Sequence, residues 1–211
     1  MSFADIKSWV FDLDNTLYPA RALYDEIGER MTRYIAREVG LDTAGALEIR
    51  ERYFHQYGAT VVGLVRHHGI DARDFLLNVH EADHSVLEPD PELRALIAAL
   101  PGRRLVFTNG GGGHAQRVLA SLNLSDLFDQ VFDIEDAKLT PKPQQACYEQ
   151  LLAHCGIDAR RALLIEDTMR NLEPAHELGF ITALVGDVHP APLPPYVDHY
   201  ARDVKALLRG L

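Results

Sequence analysis

The sequence predicts an α/β fold, a parallel sheet with helices on both faces and an all-helical insertion after the first strand. Two observations carry this. Short, continuous apolar runs alternate with single helical patterns over most of the chain, the signature of strands buried on both faces and crossed over by helices. Residues 19–88 break that alternation, with helical periodicity and no strand-like run. The chain has 211 residues, 47% of them hydrophobic and 25% charged, enough to bury a core without disulfides.

The first strand is expected at 8–12, Ser-Trp-Val-Phe-Asp, an apolar run ending in a carboxylate. Leu23, Ile27, Met31, Tyr34, Ile35 and Val39 then recur at helical spacing, and Gly40 closes the helix. Helices are predicted at 43–57, 60–68 and 71–82, the last with Asp71 as N-cap. Glu88-Pro-Asp-Pro-Glu reads as the linker back to the sheet, with a helix over 91–100. Strands at 104–108, 130–133, 162–166 and 181–185 alternate with helices at 113–122, 143–154 and 169–178. In the second of these, Pro143 is placed in the first turn, Tyr148, Leu151, Leu152 and Cys155 share a face, and Gly156 is the stop. After the prolines at 190, 192, 194 and 195, a surface excursion leads to a last strand near 196–200 and a final helix. The expected organisation is a Rossmann-like core of residues 1–18 plus 89–211, with residues 19–88 as a helical cap.

Charge narrows the partners. The chain holds 21 basic and 31 acidic residues, a net charge of −10 without a basic arm, which disfavours a nucleic acid polymer. There is no apolar leader pattern at the start and no run of about 20 apolar residues, so no membrane partner and a cytoplasmic setting are expected. Cys147 and Cys155 fall on one predicted helix, about 12 Å apart at the helical rise, and are expected to be reduced core residues.

Two motifs compete for the chemistry. His80-Glu-Ala-Asp-His84 matches the zinc-protease pattern, but Pro89 and Pro91 break the helix soon after and no third ligand follows, so two solvated histidines at a cap-helix end are expected. Asp12-Leu-Asp-Asn-Thr16 has the stronger context, because Asp12 ends a buried strand where a parallel sheet keeps its ligands. Thr108-Asn109-Gly110 ends the second strand with a hydroxyl and backbone N–H groups ahead of a helix, an anion site by geometry and dipole. Lys142, one of four lysines, precedes Pro143, and the strand at 162–166 runs into the Glu166-Asp167 pair. Buried paired carboxylates need a cation. Gly110 to Gly113 does not have dinucleotide-fingerprint spacing, and these glycines are read as letting the loop approach an anion closely. His114, at the following helix start, is expected to face either the site or solvent.

Trp9-Val-Phe-Asp-Leu-Asp-Asn-Thr-Leu-Tyr18, Phe107-Thr-Asn109, Lys142-Pro143 and Ile165-Glu-Asp167 together resemble the four motifs of the haloacid dehalogenase-like hydrolase superfamily. Leu17-Tyr-Pro19, Tyr57-Gly-Ala-Thr-Val-Val-Gly-Leu64 and Phe107-Thr-Asn-Gly110 are similar to its pyrimidine 5′-nucleotidase subgroup. The resemblance implies a Mg²⁺-dependent phosphomonoester hydrolase acting through an aspartyl-phosphate on a small-molecule phosphate ester. It makes Asp12 the nucleophile and Asp14 the general acid and base, with Asp14's pKa raised by neighbouring negative charge. Thr108, Asn109, Gly110 and Lys142 would bind the phosphoryl group. Asp12, the Asp14 carbonyl and Asp167 would hold the metal, with Glu166 acting through water. Members resembling the dehalogenases typically lack the second Asp, since a halide needs no proton. Substrate choice is expected in the cap, with Arg21, Tyr24, Tyr57, Thr60 and Arg66 as candidates and a pyrimidine nucleoside 5′-monophosphate as the expected substrate. The alternatives are a phosphosugar phosphatase or mutase on the same scaffold and, in a different class, a non-catalytic regulator.

Overall fold

Alternate residues of the first strand, β1 (Ser8–Phe11), serve opposite faces of the sheet: Trp9 and Phe11 enter one apolar cluster and Val10 the other. The computed structural model describes residues 5–210. Residues 1–4, on which the reading of the chain's start partly rests, and Leu211 lie outside them. After β1 come α1 (Arg21–Val39), α2 (Thr43–Tyr57), α3 (Thr60–His68) and α4 (Ala72–Val79). The order continues α5 (Pro91–Ala98), β2 (Arg103–Phe107), α6 (Gly112–Ser121), β3 (Gln130–Phe132) and α7 (Gln145–Cys155). It ends with β4 (Ala162–Glu166), α8 (Leu172–Glu177), β5 (Ile181–Val185), β6 (His199–Ala201) and α9 (Val204–Arg209). The strands form one parallel sheet in the order β3-β2-β1-β4-β5-β6.

β1 lies at the centre, in register with β2 through Phe11 and Val106 and with β4 through Phe11 and Ile165. Its four residues are buried, because each face is covered: Leu93, Ala115, Val118 and Leu207 bring α5, α6 and α9 to one side, and Cys147, Tyr148, Leu151 and Leu172 bring α7 and α8 to the other. Truncating a fully buried residue here, such as Leu164 to Ala, removes about 2–5 kcal/mol. The chain order reverses at β1, with β2 on one side and β4 on the other, so a crevice opens at their carboxyl ends.

The inserted helices have an apolar cluster of their own, with Tyr34, Ile35, Ile49, Tyr53, Leu64 and Phe75, into which Ile134 projects from beyond β3. Asp42 and Asp71 cap α2 and α4, and Gly40, Gly58 and Gly69 end α1, α2 and α3 in the left-handed conformation. Gly58 has φ 84°, and a Cβ there would lie 2.8 Å from the Lys142 carbonyl oxygen. Only glycine therefore lets the α2–α3 turn sit on the loop that carries Lys142.

Several boundaries differ from expectation. Pro143 lies outside α7, because Pro141 to Gln144 close a turn of their own, Gln144 N–H donating to the Pro141 carbonyl at 3.0 Å. The helix expected at 169–178 is a 3₁₀ turn, Met169–Asn171, followed by the shorter α8. The helix expected at 71–82 stops at Val79, and the last strand lies at His199–Ala201 rather than 196–200. Cys147 and Cys155 are free, buried thiols on α7.

Candidate active site

The first turn after β1 fixes two carboxylates. Asp12 N–H donates to the Ile165 carbonyl at 2.9 Å, prolonging the β1–β4 pairing. The chain then folds back, Leu17 N–H reaching the Leu13 carbonyl at 2.9 Å. Asn15 takes a left-handed φ of 62°, which its short side chain tolerates, and accepts from Ala20 N–H at 3.0 Å. Asp12 and Asp14 are thereby both buried, and both line a cavity of about 530 Å³ between the strand ends and the inserted helices.

Lys142 is the electrostatic centre of that cavity. Its side chain is 1% exposed, and Nζ donates to Asp12 Oδ1 at 2.7 Å, the Phe107 carbonyl at 2.8 Å and Glu166 Oε1 at 2.9 Å. The Lys142 loop is tied to β2 by Asn109, whose amide donates to the Lys142 carbonyl at 3.0 Å and accepts from Lys142 N–H at 2.8 Å. Burial opposes the ammonium charge, but Asp12 and Glu166 outweigh it and hold the lysine above its ordinary pKa. The single ammonium bonds two of the three clustered carboxylates, Asp12 and Glu166, and not Asp167. Burial, with repulsion from Glu166 and Asp167, therefore keeps Asp12 well above the usual carboxylate range despite the lysine. Burial and Glu166 push Asp167 up to about 7.

Asp12, Glu166 and Asp167 each offer a carboxylate oxygen within 4.8 Å of the other two. Surplus negative charge in a hard-oxygen cluster fits a small divalent cation. Glu166 is the most constrained member, fully buried and accepting also from Asn171 Nδ2 at 2.6 Å and Thr168 N–H at 2.5 Å. Thr16 Oγ1 donates to the other Asp12 oxygen at 3.0 Å.

Thr108 and Gly110 line the same cavity, but the Gly110 N–H donates to Thr108 Oγ1 at 2.9 Å rather than projecting freely. The glycine run has a second use besides the expected close approach to an anion. A Cβ on Gly112 would lie 2.2 Å from Asp133 Oδ2, so glycine is required where α6 starts against that carboxylate.

Asp14 departs from expectation. Burial favours its neutral form, but hydrogen bonding from His114 and Tyr18 outweighs this and holds its carboxyl below the ordinary value. His114 Nε2 lies 3.0 Å from Asp14 Oδ1, and the Tyr18 hydroxyl donates to the same oxygen. His80 and His84, expected to be solvated on a helix, are buried beyond the end of α4, His84 in a 3₁₀ turn, His84–Val86. The His80 ring stacks on His114 with centroids 4.7 Å apart, and His84 Nε2 lies 3.2 Å from His114 Nδ1. Burial and the neighbouring His114 push His80 down to about 3.

Of the side chains expected to choose the substrate, Tyr24 and Thr60 line the cavity, while Arg21, Tyr57 and Arg66 do not. The Tyr57 hydroxyl meets His67 Nε2 at 2.5 Å, and Arg66 lies over the Tyr57 ring at 5.7 Å, both on the outer side of the inserted helices. Phe54, His55, Arg50 and Arg170 line the cavity without having been singled out. Phe54 is 47% exposed and faces Arg170, 5.7 Å from its ring centroid. An aromatic among polar residues of a predicted helix, Phe54 between Arg52 and His55, was the available signal.

Comparison with known proteins establishes the class first: the chain is a hydrolase. More narrowly, it belongs to the haloacid dehalogenase-like hydrolase family, whose profile matches residues 6–179. It is 30% identical over 193 residues to "Phosphate metabolism protein 8" of Saccharomyces cerevisiae, covering 82% of this chain and 59% of that protein. The chain thus spans about three fifths of the yeast protein's length. It is 27% identical over 192 residues to "(S)-2-haloacid dehalogenase" of Xanthobacter autotrophicus, covering 85% of this chain and 75% of that protein. Among solved structures, the HAD phosphatase from Thermococcus onnurineus superposes with a TM-score of 0.65 at 16% identity, covering 97% of each chain, a likeness of fold. Among the described residues no helix is long and apolar enough to cross a membrane.

Proposed function

We propose that the chain is a Mg²⁺-dependent phosphomonoester hydrolase, with Asp12 as the nucleophile, Asp14 as general acid and base, and residues 19–88 as a cap over a core of 1–18 and 89–211. One observation carries this reading over dehalogenation. Asp14 places a second carboxyl in the cavity that holds Asp12, and an alkoxide leaving group needs a proton where a halide does not.

The Asp12 carboxylate attacks phosphorus as the bond to the leaving oxygen breaks, and Asp14 delivers a proton to that oxygen. Water then attacks the aspartyl-phosphate, Asp14 takes its proton, and the Asp12–phosphorus bond breaks to release phosphate. Lys142, bonded to Asp12 and Glu166, keeps the nucleophile aligned and offsets charge on the phosphoryl group, with Thr108 and Asn109 as further binders and Gly110, whose N–H holds Thr108 Oγ1, joining them once a phosphoryl oxygen displaces that contact. Asp12, Asp167 and the Asp14 carbonyl would hold the metal, with Glu166 acting through water, and the bound ion supplies positive charge at the phosphoryl oxygens.

The likeness of Leu17-Tyr18-Pro19 and residues 57–64 to pyrimidine 5′-nucleotidases supports a nucleoside 5′-monophosphate as substrate, in a cavity of about 530 Å³ with Tyr24, Phe54 and Thr60 on its walls. A Mg²⁺-dependent panel of UMP, CMP, purine nucleotides, sugar phosphates and a 2-haloacid tests both levels. Phosphate release fastest from UMP or CMP is expected. Faster turnover of a sugar phosphate overturns the nucleotidase reading, and release of halide without phosphate overturns the phosphatase reading.

A further inference from the structure

His114, His84 and Tyr18 form a buried arrangement around Asp14. His114 comes from α6, and His84 comes from the segment that leaves the inserted helices. Both rings are buried, and His80 covers the flat face of His114. The Arg117 guanidinium donates to the His80 carbonyl at 2.9 Å, fixing that segment to α6.

Hydrogen-bond direction is set from the backbone end. The Ala82 carbonyl, 2.7 Å from His84 Nδ1, can only accept, so His84 Nδ1 donates. In a neutral ring His84 Nε2 then accepts, and His114 Nδ1, 3.2 Å away, donates to it. His114 therefore donates at both ring nitrogens, Nδ1–H to His84 and Nε2–H to Asp14 Oδ1, which fixes the ring against that carboxyl. The Tyr18 hydroxyl donates to the same oxygen from the opposite end of the 14–18 turn. One oxygen of Asp14 is therefore clamped by two side chains. The other, Oδ2, lies beside the glycine loop, 4.0 Å from where a Cβ on Gly110 would stand.

We propose that His114, held by His84, is a positioning residue for Asp14: with Tyr18 it pins Oδ1, so that Oδ2 is the oxygen presented to the leaving group. This rests on the reading of Asp14 as general acid and base. Asp14 enters this step protonated on Oδ2, with the proton taken from water in the preceding turnover; as the phosphorus–oxygen bond breaks, its electron pair stays with the leaving oxygen and that proton passes to it. In the second displacement Oδ2 takes a proton from the attacking water. The cap segment thus reaches the reacting centre through a carboxyl rotamer, not through a substrate contact.

A series of substituted phenyl phosphates separates positioning from general structural support. Proton donation matters most for a basic leaving group, such as phenolate, and least for 4-nitrophenolate. His114→Ala should lower kcat/KM for phenyl phosphate by about 10- to 100-fold, a share of what a positioned acid supplies, and for 4-nitrophenyl phosphate by less than about 3-fold. Inhibition by inorganic phosphate should be unchanged. His114→Gln, which can place an N–H where Nε2 stands, should recover most of the loss, and His84→Asn should show a smaller loss of the same kind; thermal melts confirm that each variant folds. Equal losses on both esters, or no loss on either, overturn the proposal. Asp14→Asn in the same series keeps the two levels apart. If it steepens the dependence on leaving group and His114→Ala does not, positioning by His114 fails alone; if neither does, the acid role of Asp14 fails with it.

Discussion

Replacing Lys142 by Met leaves Asp12, Glu166 and Asp167 with no cation among them, in a site where the lysine side chain is 1% exposed. Removing one partner of a buried ion pair costs about 3–5 kcal/mol, and the Phe107 carbonyl also loses its 2.8 Å donor. Against a typical total stability of roughly 5–15 kcal/mol this is a large fraction. The loss should depend on pH in a defined direction. Asp12 and Asp167 have folded pKa values raised above their unfolded ones, Asp167 to about 7, so they favour the folded state at low pH and that contribution is lost as pH rises through 7. Without the lysine these carboxyls rise further, and the variant's deficit should be greatest at pH 8 and smaller at pH 5. Urea unfolding of wild type and Lys142→Met in metal-free buffer at both pH values measures it. A deficit below about 1 kcal/mol at pH 8, or the same deficit at both, would refute this account of the cluster.

Other outcomes follow from the same contacts. His80 is buried with its pKa pushed down to about 3, so its contribution to stability is present above pH 6.5 and lost as pH falls; between pH 7 and 5 it should account for about 2 kcal/mol of lost stability, absent in His80→Phe, by denaturant melts. Gly112→Ala would push a Cβ against Asp133 and should cost about 1–3 kcal/mol in thermal or urea melts, with phosphatase activity reduced as the start of α6 shifts. Burial pushes the Cys147 thiol up to about 12 and Cys155 up to about 11, so a thiol reagent at pH 8 should label the native protein only slowly, and both residues promptly in denaturant. Chelating the metal should abolish turnover and re-adding Mg²⁺ should restore it, followed by phosphate release.

What was legible in the sequence was what short-range pattern encodes. Val10, Leu105 and Leu164 sit in continuous apolar runs because parallel strands are buried on both faces, and the acids at 12, 166 and 167 stood out because each breaks such a run. Asp71, read as an N-cap, caps its helix through a contact three residues away. The histidine arrangement was hidden for the opposite reason. His84, His114 and Asp14 are 30 and 100 residues apart in pairs, and only the packing of the 80–86 segment on α6 brings them together. The zinc-like spacing of His80 and His84 drew attention to those residues as helix neighbours, but the helix ends at Val79 and the two rings approach His114 separately. Asp14's lowered pKa has the same origin, since nearby carboxylates are visible in sequence and a distant imidazole is not.

The central claim is that Asp12 forms the covalent phosphoryl intermediate. It is tested most directly by mixing the Mg²⁺-loaded protein with excess 4-nitrophenyl phosphate, quenching in acid within the first turnover and mapping peptides by mass spectrometry. A phosphoryl group on Asp12 in wild type, absent from Asp12→Asn together with turnover, is the predicted result. Phosphate release with no adduct on Asp12, or undiminished turnover by Asp12→Asn, would contradict it.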